Sequence, residues 1–258
     1  MRRLRIIPVL LLRGETLVKT TKFKNPTYIG DPINAVKIFN EREVDELMIL
    51  DIEASRENRE PSYDLIRQMA EECFMPLSHG GGIHHLDHIR KLFDCGIEKV
   101  ALGHAALKKP ELLEEASSIY GAQSMVGIIN AKKNFWGNYD CFTQGLREKY
   151  ALHPRDLAQA FEKSGVGEIL IQSIDRDGTM SGYDLQLIGE ITKAVSVPVI
   201  ACGGAGSFQD FETAASRADA TSVAAGSLFV FQRATRSVLI SYPDSSEIDR
   251  LSERLFKF

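Results

Sequence analysis

The sequence of 258 residues predicts an α/β protein of the (β/α)8 barrel class. Short apolar runs alternate about eight times with amphipathic stretches. The runs are apolar on both faces, as parallel strands covered by helices are. Units of about 32 residues match a barrel of about 250 residues better than an open doubly wound sheet. We therefore expect a single domain spanning residues 1–258.

The strands can be placed from apolar runs, and the helices from the residues that mark helix ends. An N-cap at Asp31 followed by Pro32 predicts the start of the first helix, and Gly96, Gly121 and Gly165 predict the ends of three others. The strand candidates are 5–11, 46–51, 76–79, 99–102, 125–130, 168–174, 199–202 and 221–225.

One long segment, 131–152, lies between the fifth strand and the next helix. It is predicted to be irregular and carries four aromatic residues: Phe135, Trp136, Tyr139 and Phe142. Either a lid or docking surface, or a small hairpin packing on itself, fits this composition.

An internal repeat organises the chain. Residues 44–52 align with residues 166–174 at an offset of 122. Three glycine or proline pairs share that offset: Pro76 and Pro198, Gly81 and Gly203, Gly82 and Gly204. The repeat predicts two half-barrels, about 1–122 and 123–258, with duplicated ligand sites.

Composition excludes several functions. The net charge is −4, from 31 basic and 35 acidic residues, and no basic cluster interleaved with aromatics is present, so we expect no nucleic-acid partner. The apolar start stops at Arg13, which is too short for a signal peptide or a membrane span. Cys73, Cys95, Cys141 and Cys202 are widely spaced, so we expect no metal site, no disulfide, no cofactor and a reduced, cytoplasmic protein.

Glycine-rich turns after predicted strands indicate an anion site at the barrel mouth. After the seventh and eighth strands, four residues can form a phosphate cradle: Gly203, Gly204, Gly226 and Ser227. Their counterparts in the first half are Gly81, Gly82 and His104, where a ligand role and a structural role are both open.

Several motifs resemble the cyclase (synthase) subunit of imidazole glycerol phosphate synthase, the ammonia-using partner of a glutamine amidotransferase. The motifs run nearly end to end: 5–8, 30–32, 50–52, 80–83, 167–170, 173–179, 181–184 and 203–206. The resemblance implies a duplicated barrel and a bisphosphate-type substrate across the mouth. It also assigns Lys19, Asp177 and Gly178 to the substrate site.

Two departures bear on the reaction. The aspartates that act as general acid and base in this family are replaced by Leu11 and Asn130. Neither side chain transfers a proton, so cyclase chemistry, and that of the sister isomerase, is disfavoured and no catalytic residue is assigned. The candidate substitutes are three aspartates near the mouth, Asp51, Asp175 and Asp177, together with Lys19 in the first loop.

The resemblance also implies an ammonia gate at the opposite end of the barrel. The matching residues are Arg5, Glu46, Lys99 and Glu168, with Glu98 at the interface to a class I glutaminase. A salt-bridge cluster that only stabilises the fold is the alternative. Above the gate, a lumen that passes neutral ammonia is expected to be lined by apolar residues such as Val9, Ile49, Val100 and Ile128.

The leading hypothesis is a barrel that accepts ammonia from a glutaminase and passes it to a different acceptor. Segments 10–12, 22–24 and 134–137 resemble the second, non-histidine copy of the family, which is associated with an N-acetyl sugar amidotransferase in surface polysaccharide (O-antigen type) biosynthesis. The alternatives are an authentic cyclase/lyase of histidine biosynthesis with a relocated acid and base, or a phosphosugar-binding scaffold.

Overall fold

The computed structural model describes residues 3–143, 146–150, 152–232 and 237–256. The strands are β1 (Arg5–Arg13), β2 (Thr16–Thr21), β3 (Lys24–Gly30), β4 (Leu47–Asp51), β5 (Leu77–Gly80), β6 (Lys99–Leu102), β7 (Met125–Lys133), β8 (Tyr139–Thr143), β9 (Glu148–Tyr150), β10 (Glu168–Ser173), β11 (Val199–Cys202) and β12 (Ser222–Ala225). The helices are α1 (Pro32–Glu41), α2 (Tyr63–Glu71), α3 (Leu86–Asp94), α4 (His104–Lys108), α5 (Pro110–Tyr120), α6 (Pro154–Lys163), α7 (Leu185–Thr192), α8 (Phe208–Ala218), α9 (Ser227–Val230) and α10 (Ser245–Leu255), with a 3₁₀ turn at Ala122–Ser124.

Eight of the strands form a closed parallel barrel. Their order is β10-β11-β12-β1-β4-β5-β6-β7, and β7 pairs with β10 to complete the circle. Helices lie between consecutive strands, and each of the eight predicted apolar runs is a barrel strand. The predicted (β/α)8 class is therefore confirmed.

Two barrel strands continue into antiparallel hairpins, of which the sequence analysis offered only the second, as one of two alternatives. β1 extends to Arg13 and pairs with β2, which pairs with β3. β7 extends to Lys133 and pairs with β8, which pairs with β9. The expectation that 131–152 is irregular is wrong for its described residues, whereas the alternative of a small hairpin agrees with them: alternate side chains of β8 are buried against the protein. The turn between β7 and β8 holds the exposed pair Phe135 and Trp136.

The barrel separates two apolar clusters. Alternate residues of each strand point into the lumen, where Ile7, Val9, Met48 and Leu170 belong to the inner cluster. The intervening residues face the helices and form the outer cluster. Val9 and Ile128 lie at the lumen as expected, but Ile49 and Val100 belong to the outer cluster. That expectation was wrong because side chains alternate between the two faces of a strand. Each of these residues lies an odd number of positions from the charged residue at the start of its strand and therefore faces the helices.

The predicted helix boundaries are found. The Asp31 carboxylate accepts a hydrogen bond from the backbone N–H of Asn34, at 2.8 Å, and caps α1. Gly96, Gly121 and Gly165 follow α3, α5 and α6 with φ of +97°, +88° and +92°. Glycine adopts these angles without a Cβ penalty, so the chain can turn directly into the next strand. Among the described residues, no helix combines the length and apolar character needed to cross a membrane.

Candidate functional site

Four charged residues meet at the end of the barrel where the strands begin. Arg5 donates to both carboxylate oxygens of Glu168, at 2.8 and 2.6 Å, and lies 3.2 Å from Glu46. Lys99 bridges the same two carboxylates, at 2.8 Å to Glu46 and 3.1 Å to Glu168. Each cation thus contacts both anions, and the four residues form a closed ring, called the floor ring below.

Two serines that the sequence analysis missed hold the floor ring in place. The Ser78 hydroxyl donates to Glu46 at 2.7 Å, and Arg5 Nε donates to the Ser222 hydroxyl at 3.1 Å. Ser78 is in register with Lys99 across β5 and β6, and Ser222 with Arg5 across β12 and β1. A polar residue at the start of an otherwise apolar strand was the signal that would have identified Ser222, whereas Ser78 lies between Leu77 and His79 and carries no such signal.

The charges of the floor ring stabilise one another electrostatically. Burial alone would lower the pKa of Arg5, but the hydrogen bond and charge of Glu168 outweigh it and raise that pKa. Burial would likewise raise the pKa of Glu168, but Arg5 and then Lys99 outweigh it and lower that pKa. Both residues are therefore held in the charged form, since each charge has an opposite charge close by.

Glu98 lies directly before β6, next to the floor ring, and its side chain is exposed. Its backbone N–H donates to the carbonyl of Leu77 at 2.9 Å, which fixes the chain at this end of the barrel. The residue is thus accessible from outside on the same face as the floor ring.

At the opposite end, the mouth, a cavity opens over the carboxyl ends of the second-half strands. Its walls combine backbone, apolar and polar groups: Val9, Leu11, Lys19, Gln172, Asp177, Gly178, Met180, Cys202, Gly203, Gly204, Ala205, Ala225, Gly226 and Ser227. Seven residues predicted for the substrate site therefore share one cavity: Lys19, Asp177, Gly178, Gly203, Gly204, Gly226 and Ser227.

Lys19 brings a buried cation to this cavity from β2. The side chain is 6% exposed, and its ammonium donates to the backbone carbonyl of Val9 at 3.1 Å. Burial lowers the pKa of Lys19, and the negative charge of Asp177 opposes that shift. The ammonium lies so close to Gly226 that a Cβ at that position would collide with it. Gly226 is therefore required for Lys19 to reach the cavity.

Ser227 supplies the clearest sign that the cavity receives a polar ligand. The residue is 6% exposed, and its hydroxyl oxygen is buried without a hydrogen-bond partner in the structure. Gly203 and Gly204 adopt φ of +87° and +114°, in the region that favours glycine. Leaving a buried hydroxyl unpaired costs about 1–3 kcal/mol, so a ligand that pairs with it gains affinity. An anion beside Lys19 would meet this requirement.

The two positions that depart from the family pattern lie at the mouth. Leu11 lines the cavity and is 8% exposed, and Asn130 is half-buried on β7, in register with Gln172. Neither side chain carries a titratable proton. An acid or base for proton transfer would therefore have to come from another residue.

The three aspartates among the candidate substitutes each accept hydrogen bonds that hold a loop. Asp51 accepts from the N–H groups of residues 53 and 54 and pairs with Arg59 at 3.0 Å. Asp177 accepts from Thr20 at 3.0 Å and from Gln172 at 3.1 Å. Asp175 accepts from the N–H of residue 133 at 2.8 Å. Proton transfer by any of them would compete with these bonds.

The first-half counterparts of the phosphate cradle lie elsewhere on the mouth and do not line the cavity. Gly81 and Gly82 pack so closely on the loop after β4 that a Cβ at either would collide with its backbone. His104 Nδ1 lies 3.1 Å from the Thr143 hydroxyl and 3.5 Å from a Glu148 carboxylate oxygen. The structure thus separates these three residues from the second-half site.

Metal binding finds no support in the part of the chain that is described. No group of three or more His, Cys, Asp and Glu side chains there is arranged to hold an ion.

Comparisons with known proteins agree with this architecture. The family model "Histidine biosynthesis protein" matches residues 5–235. The chain is 52% identical over 247 residues to a Pseudomonas aeruginosa protein provisionally named imidazole glycerol phosphate synthase subunit hisF2, covering 96% of this chain and 98% of that one. It is 44% identical to the provisionally named subunit hisF3 of Vibrio vulnificus, covering 96% and 95%. It is 40% identical to the imidazole glycerol phosphate synthase subunit HisF of Alkaliphilus metalliredigens, covering 87% and 89%. The chain therefore belongs to the histidine biosynthesis protein family, as a HisF-like imidazole glycerol phosphate synthase subunit.

Proposed function

We propose that this protein is the ammonia-accepting subunit of a glutamine amidotransferase complex, and that it passes ammonia to a reaction other than imidazole ring closure. The observation that supports the proposal is the contrast between the floor ring, which is complete, and the mouth, where Leu11 and Asn130 stand at the positions that the sequence resemblance assigns to the family acid and base. The names of the relatives, which describe subunits of a synthase, support a role within a complex.

The floor ring suits an entry point for a small neutral molecule. Its charges neutralise one another, so a partner docked on this face would present ammonia to a surface without net charge. The ring is closed, and one ion pair must open for a molecule to pass. Lys99 is the best candidate to move, because Arg5 is also held by Ser222 and Glu46 by Ser78.

The lumen above the floor ring favours ammonia over ammonium. Its inner cluster is apolar and includes Ile7, Met48, Val126 and Leu170, each fully buried. Moving an ammonium ion into such surroundings has a large desolvation cost, whereas neutral ammonia has a much smaller one. The lumen therefore selects the form that reacts as a nucleophile.

The mouth is proposed to hold a phosphorylated ligand between Lys19 and Ser227. A buried ammonium and an unpaired hydroxyl in the lining of one cavity offer a positive charge and a donor to the oxygens of a phosphate. We also propose that the acceptor of ammonia is an N-acetyl sugar of surface polysaccharide biosynthesis. The reason is that segments 10–12, 22–24 and 134–137 resemble the copy of the family that is associated with a sugar amidotransferase.

The association with a glutaminase is directly testable. Purified protein mixed with the cognate class I glutaminase is expected to form a complex by sedimentation and to accelerate glutamine hydrolysis. Glu98→Lys reverses an exposed charge beside the floor ring and is expected to weaken both readouts. Glu15→Lys makes the same change in the exposed turn between β1 and β2, at the mouth, and serves as the matched control. Absence of both complex and acceleration with the unmodified protein would refute the proposal.

An authentic cyclase/lyase is the second candidate, favoured by the 40% identity to a HisF subunit. Complementation of a histidine auxotroph separates the two candidates. We expect no growth from the unmodified chain, because no proton donor stands at Leu11 or Asn130. Restored growth with a well-expressed protein would favour the cyclase and a relocated acid and base.

A further inference from the structure

A large apolar side chain is exposed at the floor end of the barrel. Phe74 lies in the connection between α2 and β5, and the residue is 89% exposed. Burial raises the pKa of the Cys73 thiol to about 11, and the charge of Glu98 contributes to that rise, so Glu98 lies close to the residue that precedes Phe74. Exposed apolar residues are common on protein surfaces, so the surroundings of Phe74 decide whether it has a role.

The backbone around Phe74 is held on both sides. Its N–H donates to the side-chain oxygen of Asn40 at 2.9 Å, which ties this connection to the end of α1. The next residue, Met75, is buried in the outer cluster, and the carbonyl of Pro76 accepts from the N–H of Leu47 at 2.9 Å. An aromatic side chain on a fixed backbone loses little conformational entropy when it binds, so Phe74 is suited to be an interface anchor.

The floor end of the first half is acidic around this connection. Since β4, β5 and β6 are neighbours in the barrel, the connection that carries Phe74 is the middle one of three. The exposed carboxylates of these connections and of the helix ends beside them include Glu41, Glu43, Glu71 and Glu98. Among the described residues, none of these four forms an ion pair, and Arg42 is an exposed base between two of them. The surface therefore favours a partner that carries positive charge.

Two of these carboxylates lie where their own helix disfavours them. Glu41 and Glu71 are the last residues of α1 and α2, and neither helix has a basic residue in its last turn. The C-terminal end of a helix carries partial negative charge, which repels an acidic side chain. In the second half, by contrast, α6 ends with Lys163 and α8 has Arg217 in its last turn. The stability of the helices thus does not account for the acidic residues of the first half.

We propose that Phe74 is the residue by which the glutaminase partner is anchored, and that this partner offers an apolar recess for the ring with lysine and arginine side chains around it. The inference rests on the proposed function and specifies how the partner is recognised. Burial of the ring would supply affinity, and the carboxylates would attract and orient the partner during association. Because Glu98 lies beside the floor ring, a partner seated on Phe74 would cover the proposed entry point for ammonia.

The anchor is tested by measuring the affinity for the cognate class I glutaminase by surface plasmon resonance. Phe74→Ala is expected to weaken the complex about thirtyfold, mainly through faster dissociation. Phe135→Ala is the matched control, because Phe135 is 94% exposed but lies at the mouth, and its dissociation constant is expected to stay within about twofold of that of the unmodified protein. Both variants are expected to melt within about 2 °C of the unmodified protein, because neither ring is buried.

The carboxylates are tested by Glu71→Lys, with two readouts. The association rate constant at low salt is expected to fall about fivefold, and the difference from the unmodified protein is expected to shrink at high salt, which screens the charges. The melting temperature of the free protein is expected not to fall, because a basic residue suits the end of α2. Glu15→Lys, at the mouth, is the matched control and is expected to associate at the unmodified rate.

The outcomes separate the inference from the proposed function. A complex of unchanged affinity in Phe74→Ala, or equally slow association of Glu15→Lys and Glu71→Lys, would overturn the inference while leaving the proposed function in place. A dimer of the protein alone that Phe74→Ala abolishes would also overturn it, because a second copy would then cover Phe74. Absence of any complex with the unmodified protein would overturn the proposed function and the inference with it.

Discussion

The floor and the mouth of the barrel handle buried polar groups in opposite ways. At the floor, Arg5 and Lys99 each contact two carboxylates, and serine hydroxyls complete the arrangement. At the mouth, the Ser227 hydroxyl is unpaired, and Lys19 donates to a backbone carbonyl. The polar groups of the floor are therefore satisfied by the protein itself, whereas the mouth leaves a buried hydroxyl without a partner.

The difference also predicts where substitutions are costly. A buried ion pair contributes little net stability relative to an apolar pair, but removal of one partner leaves an uncompensated buried charge. The floor ring should therefore be sensitive to single substitutions. At the mouth, stability should depend on backbone conformation, and side-chain changes should act mainly on ligand binding.

The largest expected effect is the removal of one anion from the floor ring. Glu168→Ala leaves Arg5 and Lys99 with Glu46 alone, and we expect a loss of about 3 kcal/mol in the free energy of unfolding. Urea denaturation at neutral pH measures this loss. Asp87→Asn, which breaks exposed ion pairs with Arg90 and Lys91, serves as the control and is expected to cause no measurable change. Equal effects of the two substitutions would contradict the contrast between buried and surface charges.

A smaller loss is expected from the mouth backbone. Gly204→Ala places a Cβ at a φ of +114° and against the backbone carbonyl of Gly182. We expect a loss of about 2 kcal/mol together with weaker phosphate binding. Gly189→Ala is the matched control, because Gly189 lies in α7 with open space around it, and a gain of about 0.5 kcal/mol is expected. Full stability in Gly204→Ala would mean that the loop has another conformation.

The pH dependence of stability provides a third comparison. The pKa of Glu168 is lowered in the fold, so the unfolded chain takes up that proton first as the pH falls. Its stabilising contribution is thus present above the ordinary glutamate pKa of 4.5 and is lost as the pH falls toward the lower pKa of the folded protein. The stability gap between the unmodified protein and Glu168→Gln, measured by urea denaturation from about pH 6 down to about pH 3, should narrow. A stability gap that widens on acidification would contradict a lowered pKa of Glu168 in the folded protein.

The smallest effect is expected at the tip of the β7–β8 hairpin. Phe135 and Trp136 are 94% and 82% exposed and contact one another edge to face. Trp136→Ser is expected to change the free energy of unfolding by less than about 0.5 kcal/mol, since little of its surface is buried. Thermal melting of the isolated protein measures this. A larger loss would indicate that the tip packs against the barrel.

Much of the fold was predictable from local patterns. Runs such as that of β11 are apolar on both faces because helices cover the outside of the barrel and side chains fill the lumen. Residues such as Asp31 and Gly96 mark the ends of helices, because the backbone requirements at a helix end are local. The hairpin after β1 was missed, and the one after β7 was only one of two alternatives, because their strands are stabilised by pairing with a barrel strand and their own composition resembles that of loops.

The candidate site was predictable in part. The four members of the floor ring and seven residues of the mouth cavity were named from the sequence, through the internal repeat and the family resemblance. The lumen residues were half wrong: Ile49 and Val100 face the helices, because the direction of a side chain depends on strict alternation along the strand. Ser78 and Ser222 were overlooked because their importance depends on the register between neighbouring strands.

The sequence by itself determined the barrel class, the family and the residue types available at each end, since these follow from apolar periodicity, helix boundaries and motifs. Only the tertiary structure decided which polar groups already have partners. Gly82 and Gly204 occupy equivalent places in the repeat, yet Ser55 satisfies the amide of Gly82, while Ser227, near Gly204, keeps an unpaired hydroxyl. Hydrogen bonds between distant residues depend on distances of a few tenths of an ångström, which no local pattern encodes.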